Sequence, residues 1–167
     1  MKGLIKILAP ALLGLIIAIP LVSAQGSPIA EVDTSAGEAT YNSVCLACHM
    51  MTGEGTPYAF PPLAKHFPDL VAVDGGREYV IDVVLFGLMG AIEIDGIPYN
   101  SVMTPHVGMF DDQQVADVLN YVATAWDNAS LLPDGFLAFT ADEVSALRGG
   151  MWSSSEVYER RQALGLD

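Results

Sequence analysis

Apolar residues recur at three- and four-residue spacing in three stretches of the chain, which is typical of amphipathic helices, and two weaker helical patterns follow. The predicted helices cover residues 36–48, 77–89, a segment that follows Asp111 and Gln114, 140–147 and 153–164. Ser35 precedes the first helix, and Glu38 stands three positions later, the spacing of a capping box. Asp111 and Gln114 have the same spacing before the third helix. This succession predicts an all-α fold.

Glycine and proline mark the predicted loops between these helices. Residues 51–63 hold two glycines and three prolines, and residues 98–109 form a second predicted loop. Between the loops, residues 92–97 alternate apolar and acidic side chains around Asp95-Gly96. Because Asp-Gly favours a tight two-residue turn, this segment predicts a short hairpin-like excursion.

The first 24 residues have the pattern of a secretory signal peptide. Lys2 and Lys6 come first, eighteen uncharged residues follow, and Val22-Ser23-Ala24 offers a small-residue cleavage site. We expect cleavage after Ala24 and a mature chain that is periplasmic or otherwise extracytoplasmic. The alternative is a retained membrane anchor facing the periplasm, because about eighteen uncharged residues approach the length of a membrane span.

The rest of the chain divides into three predicted segments. Residues 25–34 are polar and contain glycine and proline, which predicts a flexible leader. Residues 35–130 hold the three strong helical patterns and form the predicted domain. Residues 131–167 form a predicted C-terminal extension with short helices.

The charge of the chain limits the kinds of partner. Seven Lys and Arg residues stand against 20 Asp and Glu, a formal net charge of −13. Loss of Lys2 and Lys6 with the signal peptide leaves five cations and a formal charge of −15. A nucleic-acid binder needs a basic surface, so this class is excluded. The acids either attract a basic partner or keep the protein soluble in an unusual medium.

The chemistry of the chain is concentrated in Cys45-Leu46-Ala47-Cys48-His49. This is the C-x-x-C-H pattern of covalent haem attachment. On a helix the two thiols lie on one face, within reach of one porphyrin, and the adjacent His49 can ligate the iron from below. A thioredoxin-like dithiol and half of a zinc site are the alternatives. The first requires a βαβ context, and the second lacks obvious further ligands apart from His66 and His106.

A second axial iron ligand is expected from a methionine. Met103 lies in the predicted loop, 54 residues after His49, where a thioether can approach the iron from the other side. Met109 is the next candidate, although its place before a helix N-cap also suits a packing role. His66 and His106 remain as alternative iron ligands. Arg77 is a candidate partner for a haem propionate, because the predicted mature chain has only five cations.

Three blocks of sequence resemble monohaem class I cytochromes c. They are residues 37–41 before the cysteine motif, residues 60–64, and residues 99–105 followed by 111–122. The similarity covers about residues 36–128 and implies helices packed around one covalent haem c, with long loops. It also implies that the carbonyl of Pro61 orients His49, that Tyr99 and Asn100 contact propionates, and that the first and last helices of the domain meet.

A narrower similarity extends to the haem subunits of periplasmic dehydrogenases. The hairpin, residues 125–128 and residues 139–144 resemble subunits of quinoprotein alcohol dehydrogenases and sulfite dehydrogenases. The resemblance implies redox protein partners, a dehydrogenase or an oxidase among them.

These patterns predict an electron carrier that is not itself an enzyme. A histidine and a methionine fill both axial positions, so no iron site is left for a substrate. One alternative is a haem subunit permanently docked to a dehydrogenase or to a terminal oxidase or reductase. Another is a haem-based gas sensor, which requires an open sixth position. We expect partners to offer a basic or apolar patch, and a membrane to take part only if residues 1–24 are retained.

Overall fold

A computed structural model describes residues 27–166, so the predicted signal peptide lies outside the described residues. Within that range the helices are α1 (Ser35–Thr40), α2 (Leu46–His49), α3 (Phe67–Ala72), α4 (Gly76–Phe86), α5 (Asp112–Thr124), α6 (Ala141–Arg148) and α7 (Ser154–Ala163). The strands are β1 (Leu88–Met89), β2 (Ile92–Ile94), β3 (Ile97–Tyr99) and β4 (Val102–Met103). No helix between residues 27 and 166 combines the length and the apolar character that a membrane span requires.

The first predicted helix forms, but in three parts and with a different N-terminus. A π-helical turn, Tyr41–Cys45, joins α1 to α2 and ends at the first cysteine of the motif. The predicted capping box is wrong. Thr34 is the N-cap and makes no side-chain cap bond, and Ser35 is already helical. The backbone N–H of Ser35, which Glu38 would bind in a capping box, donates instead to Oδ1 of Asp33 at 3.0 Å.

The first and last helices of the predicted domain cross at a glycine. Gly37 of α1 is buried, and a Cβ at this position would overlap the backbone carbonyl of Asp117 in α5. Beside this crossing, the rings of Tyr41, Tyr121 and Trp126 pack with centroids 5.1–5.7 Å apart. The α1–α5 contact therefore fixes the helix that carries the cysteine motif.

Helix α5 begins as the sequence predicts. Asp111 accepts the backbone N–H of Gln114 at 2.8 Å, and the Gln114 side chain accepts the backbone N–H of Asp111 at 3.0 Å. The buried face of α5 contains Val115, Val118, Leu119 and Val122. This face meets α4 in a single hydrophobic core.

Helix α4 is shorter than predicted. It ends at Phe86 because Gly87 has a φ of 77°, a left-handed conformation that stops the helix. The next residues form β1, which pairs antiparallel with β4. Residues 98–109 are therefore not one continuous loop: they contain the end of β3 and all of β4.

The predicted hairpin is confirmed. Ile94 pairs with Ile97 across the turn, and β2 and β3 run antiparallel. Asp95 and Gly96 both have positive φ, 52° and 77°, as a tight two-residue hairpin turn requires.

The C-terminal extension packs on the domain through defined contacts. Its two predicted helices are present as α6 and α7, each with a capping box at its start. The Asn120 side chain of α5 both donates to and accepts from the backbone of Phe139, at 3.0 and 2.7 Å. In α7, Arg160 forms a 2.9 Å ion pair with the buried carboxylate of Asp82 in α4.

The predicted flexible leader is described from residue 27 onward, and there its backbone pairs with the C-terminal extension. The backbone N–H of Ala138 donates to the carbonyl of Ser27 at 2.9 Å, and Pro28 forms an antiparallel bridge with Leu137. Ile29 donates to Phe136 at 3.3 Å and begins a short 3₁₀ turn. Residues 27–31 are thus held by backbone pairing, a contact between distant segments that local composition does not reveal.

Asn128 fixes the proline-rich loop on the end of α5. Its side chain is fully buried, and its Oδ1 accepts the backbone N–H of Lys65 at 2.6 Å. Its Nδ2 donates to the carbonyls of Leu63 at 3.2 Å and Val122 at 2.8 Å. One amide therefore satisfies three backbone groups from two separate segments.

Asn128→Ala is expected to lower the free energy of unfolding by about 3 kcal/mol. The variant loses three hydrogen bonds worth about 1 kcal/mol each and leaves their buried partners unpaired. Asn42→Ala is the matched control, because Asn42 is exposed on the first helix. Denaturant unfolding of both haem-loaded variants measures the difference. Equal stability of the two would show that Asn128 is not a structural link.

Candidate functional site

A cavity of about 230 Å³ lies between the α1–α2 helix, α4, α5 and the loops. Its wall is mostly apolar and includes Cys45, Cys48, His49 and Met103. His49 and Met103, which are 54 positions apart in the sequence, therefore line the same cavity. Two thiols, an imidazole and a thioether at an apolar cavity are a suitable donor set for a flat, largely apolar macrocycle with a central iron.

His49 is held in one orientation and one tautomer. Its ring is buried, and Nδ1 lies 3.0 Å from the carbonyl oxygen of Pro61. Because a carbonyl only accepts, Nδ1 carries the proton and Nε2 keeps a lone pair for a metal. Burial lowers the pKa of His49, and the bond to Pro61 opposes this shift. The neutral form, which is the form that binds metals, is therefore favoured.

The loop that carries Pro61 is wrapped closely against the end of α2. Gly55 donates its backbone N–H to the carbonyl of His49 at 3.1 Å, and Leu63 donates to Gly53 at 2.7 Å. A Cβ at Gly55, whose φ is +63°, would overlap the carbonyl of Phe60. These contacts set the Pro61 carbonyl at hydrogen-bond distance from the imidazole.

The two cysteines are half-buried in the cavity wall and are not joined by a disulfide. Burial raises the pKa of Cys45 to about 11, so this thiol is protonated at neutral pH. A thioredoxin-like dithiol needs a lowered thiol pKa, which disfavours that alternative. Within residues 27–166, no group of three or more His, Cys, Asp and Glu side chains is arranged to hold a metal ion, so a zinc site lacks a ligand set there.

Met103 is the one methionine of residues 27–166 in the cavity wall. It is half-buried, whereas its neighbour Val102 on β4 is 57% exposed, as the alternation of a strand requires. Met109, the other candidate from the sequence, is 62% exposed. Met89 is also exposed, on β1, and lies outside the cavity wall.

The backbone around Met103 is fixed to the end of α4. Leu88 of β1 pairs with Met103 of β4. A Cβ at Gly87 would overlap the Met103 carbonyl, so glycine permits this approach in addition to ending the helix. The backbone N–H groups of His106 and Val107 both donate to Leu85, at 3.1 and 2.9 Å. Backbone contacts at Met103 itself and just after it, at His106 and Val107, therefore hold Met103 in the cavity wall.

The three residues predicted to contact propionates are separated. Tyr99 is buried in the cavity wall, whereas Asn100 is exposed and outside it. Arg77 also lies outside the wall: its guanidinium pairs with Glu143 at 2.6 Å and donates to the carbonyl of Leu137 at 2.8 Å. Arg77 therefore binds residues of the C-terminal extension. The structure does not support a contact between Arg77 and a haem propionate.

Sequence reasoning missed Arg161 as a residue of the site. Arg161 is 1% exposed, belongs to α7 and reaches the cavity wall from the C-terminal extension. Its spacing of four from Val157 and three from Leu164 places it on the apolar stripe of α7, which was the available signal. His66 and His106 also line the wall, each with one buried ring nitrogen without a hydrogen-bond partner.

Comparisons with known proteins find a matching family model and several relatives of this chain. The family model described as Cytochrome c matches residues 34–126. Cytochrome c-552 of Thermus thermophilus is 46% identical over 122 residues, which is 73% of this chain and 92% of the relative. Cytochrome c4 of Thiocapsa roseopersicina is 33% identical over 55% of this chain and 40% of its own length. The cytochrome c subunit of a quinone alcohol dehydrogenase of Gluconacetobacter polyoxogenes is 31% identical over 55% of this chain and 19% of its own length.

Proposed function

Because this chain belongs to the cytochrome c family, with the class I fold expected from its sequence, we propose that it holds one covalent haem c and transfers single electrons between redox partners. The convergence of Cys45, Cys48, His49 and Met103 on one apolar cavity carries the proposal. When bound, haem supplies an iron that accepts and releases one electron. The chain would anchor it through Cys45 and Cys48, offer donors to its iron from His49 and Met103, and shield it from water.

Each residue of the site has a distinct proposed role. Cys45 and Cys48 form the two thioether bonds, which keep the macrocycle in place in both oxidation states. His49 donates Nε2 to the iron while Pro61 holds Nδ1. Met103 supplies a thioether sulfur. A histidine–methionine pair in a buried site favours the reduced state and raises the potential. With both axial donors supplied by the chain, we infer an electron carrier rather than a catalyst.

The surface charges restrict how partners dock. Three of the five cations of residues 27–166 are in ion pairs: Arg77, Arg148 and Arg160. Arg161 is buried, which leaves Lys65 as the exposed cation of this range outside an ion pair. A basic docking surface is therefore not available there. We propose an extracytoplasmic carrier whose partners offer a basic or apolar patch.

The proposed contact surface surrounds Met103. Its exposed apolar members are Met89 and Val102, which are paired across β1 and β4, together with Val107 and Met109. The loop at Pro61 and Pro62 forms the other part of the cavity wall and rim. Small, partly apolar contacts are typical of transient redox complexes.

Electron transfer is expected to depend on salt with a sign set by the partner's charge. At low salt, a cationic small-molecule oxidant should react roughly tenfold faster than at high salt, because the acidic surface attracts it. An anionic oxidant of similar potential should become faster as salt rises. Stopped-flow rates over a salt series, with a neutral oxidant as the control, measure both trends. Rates that ignore salt would place the acids away from the haem edge and assign them to solubility.

A second candidate function is a haem subunit docked permanently to a dehydrogenase. The similarity to the alcohol dehydrogenase subunit favours it. A carrier is expected to leave native extracts as a monomeric haem protein of the mature mass, whereas a subunit is expected to co-purify with a larger flavin, quinone or metal enzyme. Size-exclusion chromatography of native extract, followed by haem staining, separates the two functions.

A further inference from the structure

One side chain of the C-terminal extension contacts the segment that connects Met103 to α5. Arg148 is the last residue of α6, and its guanidinium donates to three acceptors. Nη1 donates to the carbonyl of Val107 at 2.8 Å, and Nη2 donates to the carbonyl of Phe110 at 2.9 Å. Nε donates to the carboxylate of Asp112 in the first turn of α5. Arg148 therefore joins α6 to the turn that precedes α5.

This turn depends on hydrogen bonds to its neighbours. The backbone N–H of Val107 donates to the carbonyl of Leu85 at 2.9 Å, so α4 binds the amide of Val107 and α6 binds its carbonyl. Residues 107–109 are exposed, and a Cβ at Gly108 would meet no atom within 4 Å. Because side-chain packing does not fix these residues, the bonds to α4 and α6 determine where the turn lies.

Arg148 is well suited to hold the turn. A guanidinium presents its donors in a rigid planar fork, and hydrogen bonds from a charged donor are stronger than neutral ones. The side chains of Arg148 and Asp112 are 26% and 30% exposed, so their contact is partly shielded from water. Helix α6 is itself anchored, because Val144 is fully buried and a capping box at Thr140 fixes its start. Arg148 therefore extends from a fixed helix.

We propose that Arg148 is a positioning residue for Met103, which keeps the sulfur of Met103 on the iron by fixing the turn that follows. The inference rests on the proposed function, in which this sulfur is an axial donor. Met103 pairs with Leu88 before the turn, and Val107, four residues later, is bonded to Arg148. A movement of Met103 away from the iron has to carry the turn with it, and the bonds of Arg148 oppose that movement. Because access to the iron separates ligand binding from electron transfer, the extension favours electron transfer.

The test is displacement of Met103 by imidazole in the ferric, haem-loaded Arg148→Gln protein. The bond from the iron to the Met103 sulfur breaks, a bond from the iron to an imidazole nitrogen forms, and the iron stays ferric. The affinity for imidazole should rise about tenfold, the lower end for the loss of a hydrogen bond to a charged group. Loss of the weak far-red band of sulfur bound to ferric haem measures this affinity. At about pH 8 imidazole is mostly uncharged, so the altered surface charge does not itself change its access.

Arg77→Gln is the matched control, because Arg77 is another arginine that joins the extension to the domain. It pairs with Glu143 and donates to the carbonyls of Leu137 and Ala138, outside the methionine segment. This variant should be less stable in denaturant but should bind imidazole as wild type does. An equal rise in imidazole affinity in Arg77→Gln would show a general loosening of the extension and would overturn the proposal.

Arg148→Lys separates position from charge. It keeps the cation but loses the planar fork, so it should also bind imidazole more tightly than wild type does. Amide hydrogen exchange of His106 and Val107 gives a readout without an added ligand, and it should become faster in both Arg148 variants. Arg148→Lys carries the test if Arg148→Gln does not fold.

The proposal is overturned if the Arg148 variants bind imidazole with the affinity of wild type. A rise in Arg148→Gln together with no change in Arg148→Lys would assign the effect to charge alone and would also overturn it. Absence of covalent haem or of the far-red band from the wild-type protein would instead overturn the proposed function, so the two failures are distinguishable.

Discussion

Cys45→Ala together with Cys48→Ala is expected to remove all covalently bound haem. Both thiols line the cavity beside His49, and the chain has no other cysteine with which to form a thioether. Each single variant should retain one bond and give less mature protein, because one linkage attaches the cofactor less securely during maturation. Haem staining after denaturing electrophoresis, and intact mass, measure the loss directly.

Ser43→Ala is the matched control for this experiment. Ser43 is exposed on the same helix and donates only to the carbonyl of Thr40. The control should keep one haem per chain and full colour after acid–organic extraction. Extraction of all the colour from the wild-type protein would show that the cofactor is not bound through the cysteines, and the proposed function would then be wrong.

Met103→Ala is expected to lower the reduction potential and abolish the weak far-red band of sulfur bound to ferric haem. The expected fall is on the order of 0.1–0.3 V, within the roughly 0.8 V that axial ligation spans in haem proteins. Loss of the thioether removes a soft donor that favours the reduced state. Redox titration and the absorption spectrum of the oxidised protein measure the two effects.

Met109→Ala is the control, because Met109 is a methionine of the same segment that is exposed outside the cavity wall. It should leave the band and the potential unchanged. A band that survives in Met103→Ala and disappears in Met109→Ala would reverse the assignment. A wild-type spectrum with two histidine ligands would instead point to His66 or His106, which both lie in the wall.

The parts of the site that depend on local sequence could be predicted. The cysteine motif places both thiols and His49 within one helical turn, and the capping box at Asp111 fixes the start of α5. The Asp95-Gly96 pair predicts the hairpin turn between β2 and β3, because both residues adopt the positive φ that such a turn requires. In each case the interacting groups are close neighbours along the chain, so spacing alone describes the contact.

The predicted cap at Ser35 fails for a local reason, because Asp33, two residues earlier, accepts the Ser35 backbone N–H that Glu38 would bind in a capping box. The other differences arise from contacts between distant segments. The predicted loop at residues 98–109 contains β4 because Gly87 brings β1 beside it. Arg161 and Arg77 look equally suitable as cations in the sequence, but Glu143 holds one outside the cavity and α7 places the other inside it. Spacing within one helix carries no information on such partners.

The backbone pairing of Ser27 with Ala138 also sets the length of any tether. Only Gln25 and Gly26 separate Ala24 from Ser27, and two extended residues span at most about 7 Å. If residues 1–24 stayed in a membrane, the folded domain would sit directly on that membrane and would have little freedom to turn toward partners on either side. Cleavage of the predicted signal segment would therefore release a diffusing carrier, whereas its retention would give a fixed relay that serves only an immediate neighbour.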